Sequence, residues 1–250
     1  MKTLENKVAI ITGAGSGIGK STALLFAKEG AKVVVTDINE EHGNSVAKEI
    51  EANGGDAIFI KADTSKAEDS EMTVKKTIEK FGQLDIAVNN AGISGPTEPI
   101  GEYSIEAWDK VISINLSGVF YGMRYQIPEM QKAGKGSIIN VASILGQVGF
   151  ANSSAYSAAK HGVVGLTKTA GLEYGKSGVR INAVGPAFIE TPLVKDSLSE
   201  DAYNSLAEMH SMGRLGQPNE VAELFLWLAS DKASFATGAY YPIDGGYLAK

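Results

Sequence analysis

The sequence predicts an α/β fold, a parallel, doubly wound sheet with helices on both faces. Three observations carry this. Short β-branched apolar runs alternate with longer helical stretches along the chain. The runs are apolar throughout, as strands buried on both faces are. The polar and glycine-rich residues cluster just after the runs, and right-handed crossovers gather those strand ends on one ligand-binding edge.

The elements follow in order. Val8 to Ile11 opens the sheet, and a glycine-rich turn stops it. Ser21 to Glu29 reads as a helix with Ala23, Leu24, Phe26 and Ala27 on its apolar stripe and Gly30 as C-cap. Lys32 to Asp37 is a strand, Glu40 to Asn53 a helix ended by Gly54 and Gly55, Ala57 to Lys61 a strand, and Lys66 to Phe81 a helix. Leu84 to Asn90 is the fourth strand. Ile105 to Lys132 reads as one long helical region, with a kink expected at Pro128. Then come the strand Ser137 to Val141, the helix Ser154 to Gly175 and the strand Val179 to Val184. Asp196 to Ser211 mixes apolar and polar residues as an amphipathic helix does. Glu220 to Ala229 is helical and Ala239 to Ile243 is a last strand. No linker, low-complexity segment or internal repeat interrupts the pattern, so one domain over residues 1–250 is expected.

With 250 residues, 44% hydrophobic and 21% charged, the chain can bury a sizeable core. A net charge of -6 argues against nucleic acid or an anionic membrane as the main partner. The absence of cysteine removes disulfides, thiol nucleophiles and thiolate metal sites. His42, His161 and His210 are isolated and make no metal-binding pair, so no metal is expected. Met1 to Lys7 carries charge where a signal peptide needs an apolar region, and no apolar run approaches the roughly 20 residues that span a bilayer. A soluble cytoplasmic protein is the expectation.

Two groups of residues carry chemistry. The first is the turn from Thr12 to Gly19, of the form G-x-x-x-G-x-G through Gly13, Gly17 and Gly19. Glycines allow close backbone approach, and amides at a helix start hold phosphate. A tight strand–helix turn is the plainer explanation, but the place between the first strand and a helix favours a nucleotide. Asp37 ends the second strand, where a carboxylate accepts hydrogen bonds from adenosine ribose hydroxyls and repels a 2'-phosphate. Neither Ser16 nor Ile38 is replaced by a basic residue, so NAD, with NADH preferred over NADPH, is expected. A solvated loop aspartate is the alternative. Asn89-Asn90-Ala91-Gly92 leaves room for a flat ring or ribose, or is simply a turn.

The second group is Asn115, Ser143, Tyr156 and Lys160. Tyr156 and Lys160 are spaced i, i+4 and share one helix face. An ammonium beside a phenol lowers the phenol pKa, and a tyrosine so tuned exchanges a proton with a carbonyl or alcohol oxygen. Singly, these residues read as an ordinary tyrosine, a solvated lysine, a strand-end cap and a buried amide. Together with a nucleotide seat they point to hydride chemistry.

The chain resembles a classical short-chain dehydrogenase/reductase over nearly its whole length. The matching residues are Thr12-Gly13, Gly17-Ile18-Gly19, Asn89-Asn90-Ala91-Gly92, Asn115, Ser143, Tyr156-Ser157-Ala158-Ala159-Lys160 and the stretch from Asn182 to Pro192. The resemblance implies a Rossmann-type subunit of about seven strands, often a homotetramer. It implies Tyr156 as general acid/base, Lys160 on the nicotinamide ribose, Ser143 on the substrate oxygen and Asn115 holding a relay water. Gly13, Ser16, Gly17, Ile18 and Gly19 would frame the pyrophosphate. Asp63 and Thr64 would flank the adenine, with Asn90, Ala91 and Gly92 nearby. Ile189 and Thr191 would bind the carboxamide. Pro186 is followed by Ala187 where the family commonly has glycine, which puts pocket shape in doubt.

Ile144, Leu145, Val148, Phe150, Phe188 and Leu193 are the expected substrate wall, with a lid over about 188–215. Most are apolar, which suits a bulky hydrophobic or aromatic ketone better than a sugar. A polyol dehydrogenase, a 3-oxoacyl carrier-protein reductase and a non-catalytic NAD-sensing module are the alternatives. The last is expected to lack Tyr156 or Lys160. The helices around Ile105 to Lys132 and Ser154 to Gly175 are candidates for packing across a twofold axis.

Overall fold

A computed structural model describes residues 2–191, 194 and 199–249. β1 (Val8–Thr12), β2 (Lys32–Asp37), β3 (Asp56–Lys61), β4 (Ile86–Asn89), β5 (Gly136–Val141), β6 (Val179–Pro186) and β7 (Tyr240–Ile243) form one sheet in the order β3-β2-β1-β4-β5-β6-β7. Every pairing is parallel. The order reverses between β1 and β4, and the crevice at that switch point is where an open α/β sheet binds its ligand.

The helices are α1 (Gly17–Lys28), α2 (Glu40–Ala52), α3 (Ala67–Phe81), α4 (Ile105–Ile112), α5 (Gly118–Ala133), α6 (Ser154–Tyr174), α7 (Glu200–Glu208) and α8 (Pro218–Ala229). They cover both faces, and the alternation of strand side chains divides the core accordingly. Ala9, Ile11, Val33, Val35 and Ile139 pack with Phe26, Ile50 and Phe225 from α1, α2 and α8. Ile10, Val34 and Ile138 face the other way, onto Val74, Met123 and Val163 from α3, α5 and α6. A buried amide network ties the β4 and β5 ends to the second layer. Asn89 Nδ2 donates to Gln126 Oε1 (3.1 Å) and Asn140 Oδ1 (2.9 Å), and Asn140 Nδ2 donates to Thr167 Oγ1 (3.0 Å).

Three boundaries differ from expectation. α1 starts at Gly17 rather than Ser21, because the turn's last glycines already have helical partners. The long region from Ile105 is not one helix: a π-helical turn at Ser113–Ser117 separates α4 from α5. α5 continues past Pro128 to Ala133, where Gly134 adopts φ 67° and ends it. Among the described residues no helix is long and apolar enough to cross a membrane.

Candidate active site

The turn after β1 is a cradle that side chains would fill. Gly13 and Gly17 take φ of 62° and 51°, in the left-handed region. A Cβ at Gly19 would collide with the Gly13 carbonyl oxygen. Thr12 fixes this turn to the end of β4: its Oγ1 accepts from Asn90 N (2.9 Å) and Ala91 N (3.0 Å), and Asn90 Nδ2 donates to Thr12 O (2.9 Å). Ser16 makes no side-chain cap, and the first turn of α1 holds no acid. The opening amides of α1 are thus left for an anion such as a pyrophosphate.

Asp37 sits beside this cradle at the end of β2. Its Oδ2 accepts from Gly15 N (2.9 Å) and its Oδ1 from Asn39 N (2.8 Å). Ile38 next to it is largely exposed. The neighbouring cations are paired, Lys20 with Glu49 at 2.8 Å and Lys61 with Glu40 at 3.4 Å. Across the cleft, Thr191 from the loop after β6 reaches over the turn, with Cγ2 3.1 Å from the Cβ position of Gly17. Ile189 packs its side chain into the core and pairs its backbone with Gly216. Asp63 closes a turn by accepting from Ser65 N (3.0 Å), while the Thr64 carbonyl lies against Gly118. Pro186 ends β6, and Ala187 N donates to Ile243 O (3.2 Å).

The structure brings Ser143, Tyr156 and Lys160 together at the β5 edge. Ser143 follows β5, and its Oγ accepts from Leu145 N (3.2 Å). Tyr156 lies in the first turn of α6, and Lys160 one turn later. Burial pushes the Tyr156 phenol above its ordinary value, while a hydrogen bond with the Ser143 hydroxyl pulls the other way. Lys160 is buried, and its ammonium is brought down to about 8. Its Nζ donates to Val141 O (2.7 Å) and stands 5.4 Å from the Tyr156 ring centroid. The expected lowering of the Tyr156 pKa by Lys160 is therefore not met in this geometry. Burial is the larger influence, and the ammonium is directed at a backbone carbonyl.

Asn115 sits in the π-helical turn, fully buried. Its Nδ2 donates to Ile93 O (2.9 Å) and Val111 O (3.0 Å), and its Oδ1 accepts from Ile93 N (3.2 Å). The side chain takes the carbonyl four residues back, which an α-helix would assign to the Asn115 amide. Its side-chain polar atoms are engaged by backbone groups. It pins the segment Gly92-Ile93 beside Lys160: the Cβ position of Gly92 lies 2.5 Å from Asn115 Oδ1 and 3.7 Å from Lys160 Nζ.

Of the expected substrate wall, Ile144 and Leu145 are buried within the fold, while Val148, Phe150 and Phe188 are half-buried. Phe150 and Phe188 meet edge to face at 6.0 Å. Leu193 and part of the expected lid, 195–198, lie outside the described residues, and α7 forms the helix expected further on. Sequence reasoning missed Tyr240, whose hydroxyl donates to Ser143 O (3.0 Å) and whose ring fills the space a side chain at Gly185 would need. It also missed that Tyr247 and His210 join Phe188 in an aromatic cluster. No local pattern marks these residues, since only the adjacency of β5, β6 and β7 unites them.

A serine, a tyrosine and a lysine converge at the β5 edge of a parallel sheet whose first strand ends in a glycine-lined turn. This defines an oxidoreductase of the nicotinamide-dependent class. The chain belongs to the short-chain dehydrogenase/reductase family. The family model described as Enoyl-(Acyl carrier protein) reductase matches residues 13–248. The chain is 52% identical to the cyclohexanol dehydrogenase of Acinetobacter sp. (strain SE19), over 98% of this chain and 96% of that protein. It is 44% identical to the cis-4-hydroxycyclohexanecarboxylate dehydrogenase of Sinomonas cyclohexanicum, over 99% of both. Among solved structures, levodione reductase matches with a TM-score of 0.94 at 38% identity, covering 98% of this chain and 99% of that one.

Proposed function

We propose that the protein is an NAD(H)-dependent dehydrogenase that interconverts a cyclic secondary alcohol and its ketone. The carrying observation is the convergence of Ser143, Tyr156 and Lys160; the apolar Phe150–Phe188 pair is the wall expected for the substrate. Two relatives named for six-membered rings support the cyclic substrate. The wall offers an alicyclic or aromatic ring its apolar contacts and offers a sugar few polar partners.

Gly13, Ser16, Gly17, Ile18 and Gly19 would hold the pyrophosphate, Asp37 the adenosine ribose, Asn90 to Gly92 and Lys160 the nicotinamide ribose, and Thr191 and the Ile189 backbone the carboxamide. The unused amides of α1 and the glycine cradle fit such a group. When bound, the nicotinamide supplies or takes a hydride. Ser143 hydrogen-bonds the substrate oxygen and steadies its developing charge. Tyr156 gives its proton to that oxygen during reduction and takes one during oxidation. Asp37 supports NADH over NADPH, because the adjacent lysines already have carboxylate partners. Exposed Ile105, Phe120 and Leu172 on α4, α5 and α6 support assembly into a homotetramer through those helices.

The test is oxidation of cyclohexanol and reduction of cyclohexanone, followed by nicotinamide absorbance with each cofactor. Turnover with NAD+ and NADH is expected. Silence on cyclic substrates with turnover of a sugar would replace this reading by a polyol dehydrogenase.

A further inference from the structure

Ser143 stands where β5 gives way to the short helical turn Ile144–Gly146. Two donors hold its backbone carbonyl. Gly146 N donates to it from within the turn (2.8 Å), and the Tyr240 hydroxyl donates to it from β7 (3.0 Å). A carbonyl only accepts, so the Tyr240 proton lies in that bond. The residues just before Ser143 are fixed as well: Lys160 Nζ donates to Val141 O (2.7 Å) and Ala142 N to Val184 O (2.8 Å). Ser143 Oγ accepts from Leu145 N (3.2 Å), which uses a lone pair and leaves the hydroxyl proton to be donated elsewhere.

The bond from Tyr240 spans 97 positions of sequence and passes over a strand. β6 separates β7 from β5, and neighbouring strands lie about 4.8 Å apart. A long side chain bridges that distance only where β6 leaves it room. Gly185 leaves that room, because a Cβ there would overlap the Tyr240 hydroxyl oxygen, Cζ and Cε2. The ring packs against the core layer that holds Val163 and Ala183, which gives the hydroxyl a fixed support. Burial, with Asp244 as a second cause, pushes the phenol far above its ordinary value. The hydroxyl therefore stays a donor at any pH near neutrality.

We propose that Tyr240 is a positioning residue: by holding the Ser143 carbonyl, its hydroxyl aims the Ser143 hydroxyl at the substrate oxygen. This rests on the reading of Ser143 as the hydrogen-bond donor to that oxygen. Tyr240 acts through Ser143 alone. A donor fixed in advance counts most where charge develops, in the transition state. Misplacing a catalytic group by about 1 Å costs up to about 100-fold in rate. The loss on removing the Tyr240 hydroxyl should therefore fall on kcat rather than on KM. It should be partial, because Gly146 N still holds the carbonyl.

The test measures kcat and KM for cyclohexanone reduction, with glucose oxidation beside it, in wild type, Tyr240→Phe, Ser143→Ala and the double variant. Tyr240→Phe keeps the ring and removes only the hydroxyl. It should lower kcat by about tenfold, leave KM within about threefold and leave the NADH dissociation constant, read by fluorescence, within about twofold. In the Ser143→Ala background the same change should alter kcat by less than about twofold, because no hydroxyl remains to be aimed. A general loosening of the fold would instead lower kcat by the same factor in both backgrounds. Gly185→Ala is an independent arm: it keeps the Tyr240 hydroxyl but forces it off the carbonyl, and its loss should likewise vanish beside Ser143→Ala. This arm decides the matter where Tyr240→Phe does not fold. An unchanged kcat, or equal losses with and without the Ser143 hydroxyl, would overturn the proposal while leaving the dehydrogenase reading intact. Wild-type kcat in Ser143→Ala, or a wild type inert toward both substrates, would overturn both.

Discussion

Lys160→Met removes a buried charge and keeps most of the apolar stem. Lys160 is 3% exposed, and burial brings its pKa from 10.5 to about 8. A base whose folded pKa is lowered binds fewer protons in the folded state between about pH 8 and 10.5. Stability therefore rises with pH through that window, and the full penalty applies below it. At about 1.4 kcal/mol per pH unit, the gap sets a penalty of about 3 kcal/mol at neutral pH. Methionine escapes the penalty but forfeits the 2.7 Å hydrogen bond to Val141 O, worth about 1–3 kcal/mol. The two nearly cancel at pH 7, so the absolute difference is a poor test. The pH dependence is a good one: relative to wild type, the variant should lose about 2 kcal/mol between pH 7 and 9.5. Urea unfolding of both proteins, followed by circular dichroism at one protein concentration, reads this directly. A stability gap that does not change with pH would refute the claim that Lys160 is buried as a destabilised cation.

Other outcomes follow from the same geometry. Asp37→Ala should lower the ratio of NADH to NADPH efficiency by about 100-fold, since like-charge repulsion of several kcal/mol is removed. Steady-state rates with both cofactors measure it. Gly19→Ala forces a methyl into the Gly13 carbonyl oxygen and to within 2.7 Å of Asn90 Nδ2. It should cost about 1–3 kcal/mol in thermal unfolding and weaken NADH fluorescence titrations markedly. Asn115→Ala strands the Ile93 and Val111 backbone groups and should destabilise by about 2–4 kcal/mol in denaturant. A change under about 0.5 kcal/mol would argue against that pinning role.

The strands were legible because Val8-Ala9-Ile10-Ile11 and Lys32 to Asp37 are apolar β-branched runs stopped by glycine or aspartate, and nothing in the tertiary fold overrides them. The cradle was legible because glycine is the residue that takes the left-handed dihedrals of Gly13 and Gly17 most readily. The π-helical turn was not, since a single inserted residue leaves the segments on either side helical in pattern and shows only in the bonding of Asn115. Spacing placed Tyr156 and Lys160 on one face but carried no information on burial, which sets the direction of both pKa values. His210 looked isolated because its neighbours Phe188 and Tyr247 are remote in sequence and meet only when β6 and β7 pair.

The most direct measurement is the turnover of cyclohexanone by Tyr156→Phe alongside NADH binding by fluorescence. Loss of the proton donor should lower kcat by about 100-fold to 10,000-fold while the dissociation constant for NADH stays within about twofold. Turnover within tenfold of wild type, with binding unchanged, would contradict the assignment of Tyr156 as the group that exchanges the substrate proton.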